Sequence, residues 1–148
     1  MNIYFACSIT GGRQDELVYQ AIVHTLLADG HFVPTAHLSA PEVMALESVV
    51  DPGEVFLRDV NWIDACDALI AEISTPSHGV GYEIAHALNQ GKKVLCCYQE
   101  GRRISKMISG NTLPGLRIRA YRDHEEAIHI VREFLKGLPT RSGETDSS

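Results

Sequence analysis

The sequence predicts an α/β fold: a doubly wound, mainly parallel five-stranded sheet with helices on both faces, Rossmann-like or flavodoxin-like in the broad sense. Two observations carry this. Five short β-prone runs alternate with segments of helical periodicity, and the inner runs are almost continuously apolar, as strands covered on both faces are.

Asn2 to Cys7 forms the first run and ends at Ser8-Ile9-Thr10-Gly11-Gly12, where two glycines permit a tight loop. From Arg13 to Ala28, Leu17, Val18, Ala21, Ile22, Thr25 and Leu26 recur at helical spacing, with Gly30 as a stop. His31 to Thr35 reads as the second strand. Ser39 to Glu54 contains Pro41 and Pro52 and is expected to be a partly helical excursion. Val55 to Cys66 is an amphipathic helix, and Asp67 to Glu72 a buried strand. Gly81 to Asn89 is helical with Gly91 beyond it, Lys93 to Tyr98 is a strand, and Leu116 to Tyr121 with His124 to Leu135 supplies the last strand and helix. Residues 1–138 are expected to form one domain, and Pro139 to Ser148, rich in Ser, Thr and Gly, a disordered tail.

The 148 residues, 45% of them apolar, suffice for one core. A net charge of -6 and the lack of a basic stripe exclude binding that relies on neutralising a nucleic-acid backbone. No apolar run approaches the roughly 18 to 20 residues of a membrane span, and Met1 leads directly into a strand, so a cytoplasmic protein is expected, with the nucleus open if the source is eukaryotic. Cys7, Cys66, Cys96 and Cys97 show no C-x-x-C spacing and read as free buried thiols; the seven histidines form no H-x-x-x-H pattern, so neither metal nor cofactor is expected.

In such folds ligands bind at the carboxyl ends of the strands, which directs attention to the loops after Cys7, Thr35, Glu72 and Tyr98. The third loop runs Ser77-His78-Gly79-Val80-Gly81-Tyr82-Glu83 into a helix, whose unpaired N–H groups attract phosphate. It lacks the third glycine of a dinucleotide fingerprint and the Gly-Lys-Ser/Thr of a phosphate loop. Taken alone it fits a plain helix entry equally well. Glu83 is expected in the first helical turn, where the dipole favours its ionised form; it reads as a ready carboxylate or as an ordinary helix-stabilising acid. Asp59, on the preceding helix, reads as a second acid or as a solvated charge. Two carboxylates near strand ends suit glycosidic chemistry, one capturing the sugar carbon and the other handling protons. Tyr4, inside the first strand, would ordinarily be core.

Several blocks, in order and spacing, resemble the 2'-deoxynucleoside 5'-phosphate N-hydrolases, relatives of the nucleoside 2-deoxyribosyltransferases. They are Ile3-Tyr4-Phe5-x-x-Ser8-Ile9-x-Gly11-Gly12-Arg13, the His37 segment, Asp59-x-x-Trp62, Ala71-Glu72-x-x-x-Pro76-Ser77-x-Gly79-Val80-Gly81-Tyr82-Glu83 and Arg103-x-Ser105-x-Met107-Ile108. The resemblance implies a dimeric, metal-free enzyme that releases free base and 2-deoxyribose 5-phosphate. It makes Glu83 the nucleophile of a covalent sugar-phosphate intermediate, Asp59 the second acid, Tyr4 the group orienting Glu83, and His37 a group near the departing base. It implies phosphate contacts at Ser77, Gly79 and Ser105, the last supplied across a homodimer interface. Cys7, Ile9, Thr10, Gly11, Gly12 and Met107 are expected to line the nucleotide site. Relatives often carry glycine and arginine where this chain has Cys7 and Thr10, so one cationic contact is absent or replaced, and Tyr4 in place of the phenylalanine of ribonucleotide hydrolases favours deoxyribose. A deoxyribosyltransferase, a CMP-type ribonucleotide hydrolase and a non-catalytic nucleotide-binding module are the competing readings.

Overall fold

The computed structural model describes residues 1–9 and 15–139. Strands β1 (Ile3–Ala6), β2 (Ala68–Glu72), β3 (Lys93–Gln99) and β4 (Leu116–Tyr121) pair in that order, all parallel. The helices are α1 (Glu16–Ala28), α2 (Val43–Glu47), α3 (Pro52–Ala65), α4 (His78–Asn89), α5 (Lys106–Ser109) and α6 (His124–Lys136), with a 3-10 turn over Ala36–Ser39.

Alternation along β1 sorts its side chains between two cores. Ile3, Phe5 and Cys7 join the cluster of α1 and α6, through residues such as Tyr19, Ile22, Val131 and Phe134. Tyr4 and Ala6 join the opposite cluster, with Ile63 of α3 and Val80, Ile84 and Ala87 of α4. Ile70 and Leu95 are wholly buried in the middle of the sheet. Each such side chain contributes about 1.5–3 kcal/mol by leaving water.

Among the described residues the sheet has four strands, not five. The strand expected over residues 31–35 is reduced to one bridge, Asn2 with Phe32. Ile3 N–H donates to the Phe32 carbonyl at 2.8 Å and Phe32 N–H to that of Met1 at 2.9 Å, but Pro34 has no N–H with which to continue the ladder. The Thr35 hydroxyl takes over, accepting from Phe5 N–H at 3.0 Å. Counting this remnant, the order is that of a flavodoxin-like sheet, second-first-third-fourth-fifth. The topological switch point falls between β1 and β2.

The excursion over 39–54 also resolves. Pro52 does not interrupt a helix but begins one: it occupies the first turn of α3, where its missing N–H is no loss, and Asp51 caps the end by accepting from Gly53 N–H at 3.0 Å. Of the expected tail, Pro139 is described and the remainder lies outside the described residues. Among the described residues no helix is long and apolar enough to cross a membrane, and Cys7, Cys66, Cys96 and Cys97 are buried thiols outside any disulfide.

Candidate active site

Helix α4 starts earlier than its periodicity suggests. Ser77, in extended conformation, is the N-cap and its hydroxyl accepts from Val80 N–H at 3.3 Å. His78 and Gly79 occupy the first two helical positions, where N–H groups have no intrahelical acceptor. This early start puts Glu83 in the second turn, not the first. The expected dipolar help to its ionised form is therefore small, and burial dominates: it pushes the Glu83 carboxyl up to about 7. The Tyr4 hydroxyl works in the other direction by donating a hydrogen bond to Glu83 Oε2, the Asp59 carboxylate adds to the rise, and the Arg58 guanidinium lowers it.

Tyr4 reaches Glu83 because β1 and β2 flank the switch point and α4 follows β2 across it. Its ring is wholly buried and its hydroxyl pKa is raised, first by burial and then by the Glu83 and Asp59 charges, so it stays a proton donor. With Oε2 held, Glu83 Oε1 is the oxygen left to react. It faces Gly79, where an added Cβ would lie 3.9 Å from Oε1 and 3.9 Å from Ser77 Oγ. The two sequence-predicted groups, nucleophile and phosphate cap, thus share one concave corner.

Asp59 lies on α3, half-buried. Burial raises its pKa, opposed by a hydrogen bond from Arg58 Nε to Oδ1 at 2.9 Å. Arg58 also bridges to Glu47 Oε1 at 3.2 Å and lies over the Trp62 ring, Cζ to centroid 4.9 Å. His37, on the 3-10 turn, meets the same Glu47 at 3.3 Å and the Trp62 ring edge-on at 6.0 Å. The structure therefore brings His37, Asp59, Tyr4 and Glu83 to one side of the sheet. It adds two groups that sequence reasoning missed. Arg58 had a signal, since it precedes Asp59 and stands four residues before Trp62 on one helix face. Glu47 had none: α2 is five residues long and its place is set by tertiary contact.

The loop joining β2 to α4 is tied down by two polar networks. Wholly buried Glu72 accepts from Ser74 N–H, Ser74 Oγ and Tyr121 Oη; burial nonetheless raises its pKa. Asp15 accepts from Thr75 Oγ1 at 3.0 Å and Arg102 Nη2 at 2.8 Å. Three strand-end loops meet there, fixing the approach to Ser77.

The other expected residues scatter more. Ser105 caps α5, accepting from Met107 N–H at 3.2 Å, and Met107 is 84% exposed. Both line a cavity of about 620 Å³ with Ser77, Ile84, Ile104 and Ile108. Ile9 is half-buried after β1, whereas the Cys7 side chain packs with Ile3 and Phe5 in the α1 core, its thiol toward the Leu38 carbonyl. Thr10, Gly11 and Gly12 lie outside the described residues. Among the described residues no three His, Cys, Asp or Glu side chains are grouped so as to hold a metal ion.

Comparison with known proteins bears on this geometry. The nucleoside 2-deoxyribosyltransferase family profile matches residues 3–134. A 5-hydroxymethyl-dUMP N-hydrolase of Esox lucius is 41% identical over 144 residues, covering 93% of this chain and 98% of that protein. The protein of the same description from Danio rerio is 37% identical over 148 residues, covering 93% and 98%. Among solved structures, a CMP N-glycosidase of Clostridium botulinum superposes with a TM-score of 0.68 at 20% identity, over 89% of this chain and 98% of that one, a likeness of fold. The extent of these matches, and the Tyr4–Glu83 corner at the switch point, make this chain a member of the nucleoside 2-deoxyribosyltransferase family, among the N-hydrolases that its sequence resembles.

Proposed function

We propose that this protein hydrolyses the N-glycosidic bond of 2'-deoxynucleoside 5'-monophosphates, giving free base and 2-deoxyribose 5-phosphate. The observation that carries the mechanism is the Tyr4 hydrogen bond to Glu83 Oε2, which leaves Oε1 directed past Gly79 toward the phosphate cap. The 5'-phosphate sits against the Ser77 hydroxyl and the free amides of His78 and Gly79. This anchors the sugar with its anomeric carbon over Glu83. Glu83 Oε1 attacks that carbon as the bond to the base breaks, and the electron pair leaves with the base. Asp59, whose raised pKa suits proton exchange, donates to the departing base or takes a proton from the water that then cleaves the ester. His37 borders the base.

The site is completed by a second copy of the chain, whose Ser105 reaches the phosphate. Exposed Tyr82, Met107 and Leu113 and the largely apolar cavity beside Ser77 support a partner on that face.

Chromatography of a panel of deoxy- and ribonucleoside monophosphates tests the activity, with free base as the product expected from the deoxy series. Glu83→Ala abolishes release while the circular dichroism spectrum is retained. In the slowed Asp59→Asn enzyme, mass spectrometry finds a deoxyribose-phosphate adduct on Glu83. No free base from any monophosphate overturns the activity, and an adduct elsewhere overturns the nucleophile.

A further inference from the structure

Arg58 is a charged group of the site to which this covalent chemistry assigns no contact with the substrate. Three contacts fix it: Nε on Asp59 Oδ1 at 2.9 Å, Nη2 on Glu47 Oε1 at 3.2 Å, and the guanidinium plane over Trp62. Burial weighs against its charge, yet the two carboxylates outweigh burial and raise its pKa further. Nη1 makes no hydrogen bond to any described residue, and the side chain is 25% exposed. A guanidinium offers five donors in a rigid fork, so one already anchored at Nε and Nη2 presents the Nη1 pair at fixed direction and little further entropic cost.

Its direction follows from its anchors. The Nε end is fixed to Asp59, whose charge acts on both Glu83 and Tyr4. Nη2 meets Glu47, which also meets His37. On the reading above, with the sugar over Glu83 and the base beside His37, the Nη1 pair is the unanchored donor on the side of the site where the base lies.

Resting on the N-hydrolase reading above, we propose that Arg58 determines base specificity: Nη1 donates to an exocyclic carbonyl oxygen of the base, the oxygen at C4 of a uracil or C6 of a guanine. Cytosine and adenine carry an amino group at that place. A donor would then face a donor in a partly desolvated corner, and neither could be satisfied. The same contact assists departure. As the C1'–N bond breaks and the bond from C1' to Glu83 Oε1 forms, the electron pair passes to the base and spreads onto its exocyclic carbonyl oxygen. Arg58 stabilises that charge without giving up a proton. Glu47, bonded to both Arg58 and His37, is the positioning residue behind it.

The test measures kcat/KM for two matched pairs, dUMP against dCMP and dGMP against dAMP, in the wild type and in Arg58→Met and Arg58→Lys. The wild type is expected to favour the oxo member of each pair by about ten- to a hundredfold. Arg58→Met brings each ratio to near one by losing mainly the oxo substrate, and Arg58→Lys, which keeps the charge but loses the fork, gives an intermediate ratio. A general packing defect lowers both members of a pair alike and leaves the ratio in place, so the ratio separates specificity from structure. Wild-type ratios near one, or ratios unaltered in both variants, overturn the proposal. The wild-type ratios need no variant, so they decide the matter if the substitutions prevent folding. Failure of the underlying reading looks different: the wild type then releases no base from any of the four nucleotides, and both fall together.

Discussion

Tyr4→Phe removes one hydroxyl and isolates its effect on the nucleophile. Burial holds the Glu83 carboxyl near 7, and the Tyr4 hydrogen bond is the main influence pulling it down. A hydrogen bond to a charged group is worth about 1.5–3 kcal/mol, and about 1.4 kcal/mol corresponds to one pKa unit. Losing it should move the Glu83 pKa up by about one to two units, to about 8 or 9. The sign is fixed by chemistry: Glu83 attacks only when ionised, so kcat/KM falls as pH drops through its pKa. At pH 7 the ionised fraction goes from about a half to between about a tenth and a hundredth, a loss of roughly five- to fiftyfold. The loss should shrink steadily toward pH 9.5. The assay is free-base release at low substrate concentration across pH 5.5–10 for both enzymes. The nucleotide's own phosphate titrates at about 6, but it does so identically in the two profiles, so their difference belongs to the enzyme. An acid limb that keeps its midpoint in Tyr4→Phe would refute the account, even if activity fell at every pH.

Glu83→Gln should stabilise the fold at high pH. A carboxyl whose folded pKa is raised favours folding below its ordinary value near 4.5 and loses that contribution as pH rises through about 7. The amide removes the penalty, so Tm should exceed the wild type's by several degrees at pH 8, for roughly 3 kcal/mol, and by almost nothing at pH 4.5; equal gaps at the two pH values would contradict the raised pKa. Ser77→Ala should raise KM for a monophosphate about tenfold yet leave any slow cleavage of the unphosphorylated deoxynucleoside unchanged, which parallel kinetics would read. Asp15→Asn weakens the bridge to Arg102 and should lower unfolding free energy by roughly 1–3 kcal/mol, discounted for the partial exposure of Arg102; urea denaturation within 0.5 kcal/mol of wild type would dissociate this network from stability.

Strands whose apolar runs are continuous, such as Ala68–Glu72 and Lys93–Gln99, were legible in the sequence because burial on both faces leaves little room for polar residues. Residues 31–35 were not, because pattern records β propensity but not the need of each N–H for an acceptor, and Pro34 with the Thr35 hydroxyl decides that. Helix starts misled in the same way. At α3 the cap and first-turn proline lie before the periodic region, and at α4 the polar Ser77-His78-Gly79 run disguises a helix start as loop. That displacement of one turn altered the electrostatic reading of Glu83 from dipole-favoured carboxylate to half-buried acid held up by desolvation. Glu83, Asp59, Tyr4 and His37 could be picked from local motifs, whereas Glu47, far from any motif, could not.

Two glutamates, wholly buried Glu72 at the end of β2 and half-buried Glu83 in the second turn of α4, show why only one is fit to be a nucleophile. Glu72 and Glu83 both lose solvation, and both pKa values rise for that reason first. Glu72, however, accepts three hydrogen bonds, from Ser74 N–H, Ser74 Oγ and Tyr121 Oη, which engage both oxygens and fix the loop carrying Ser77. A carboxylate engaged on both oxygens and wholly buried is held for structure, not for a ligand. Among the described residues Glu83 accepts one, from Tyr4, on one oxygen. That bond orients the group and restrains its pKa without occupying Oε1, and the missing side chain at Gly79 keeps the approach to Oε1 open. Incomplete hydrogen bonding in a buried carboxylate is destabilising in a purely structural setting. Placed at the switch point of a parallel sheet, beside a helix end that receives phosphate, the same deficit becomes reactivity toward an electrophilic carbon held there.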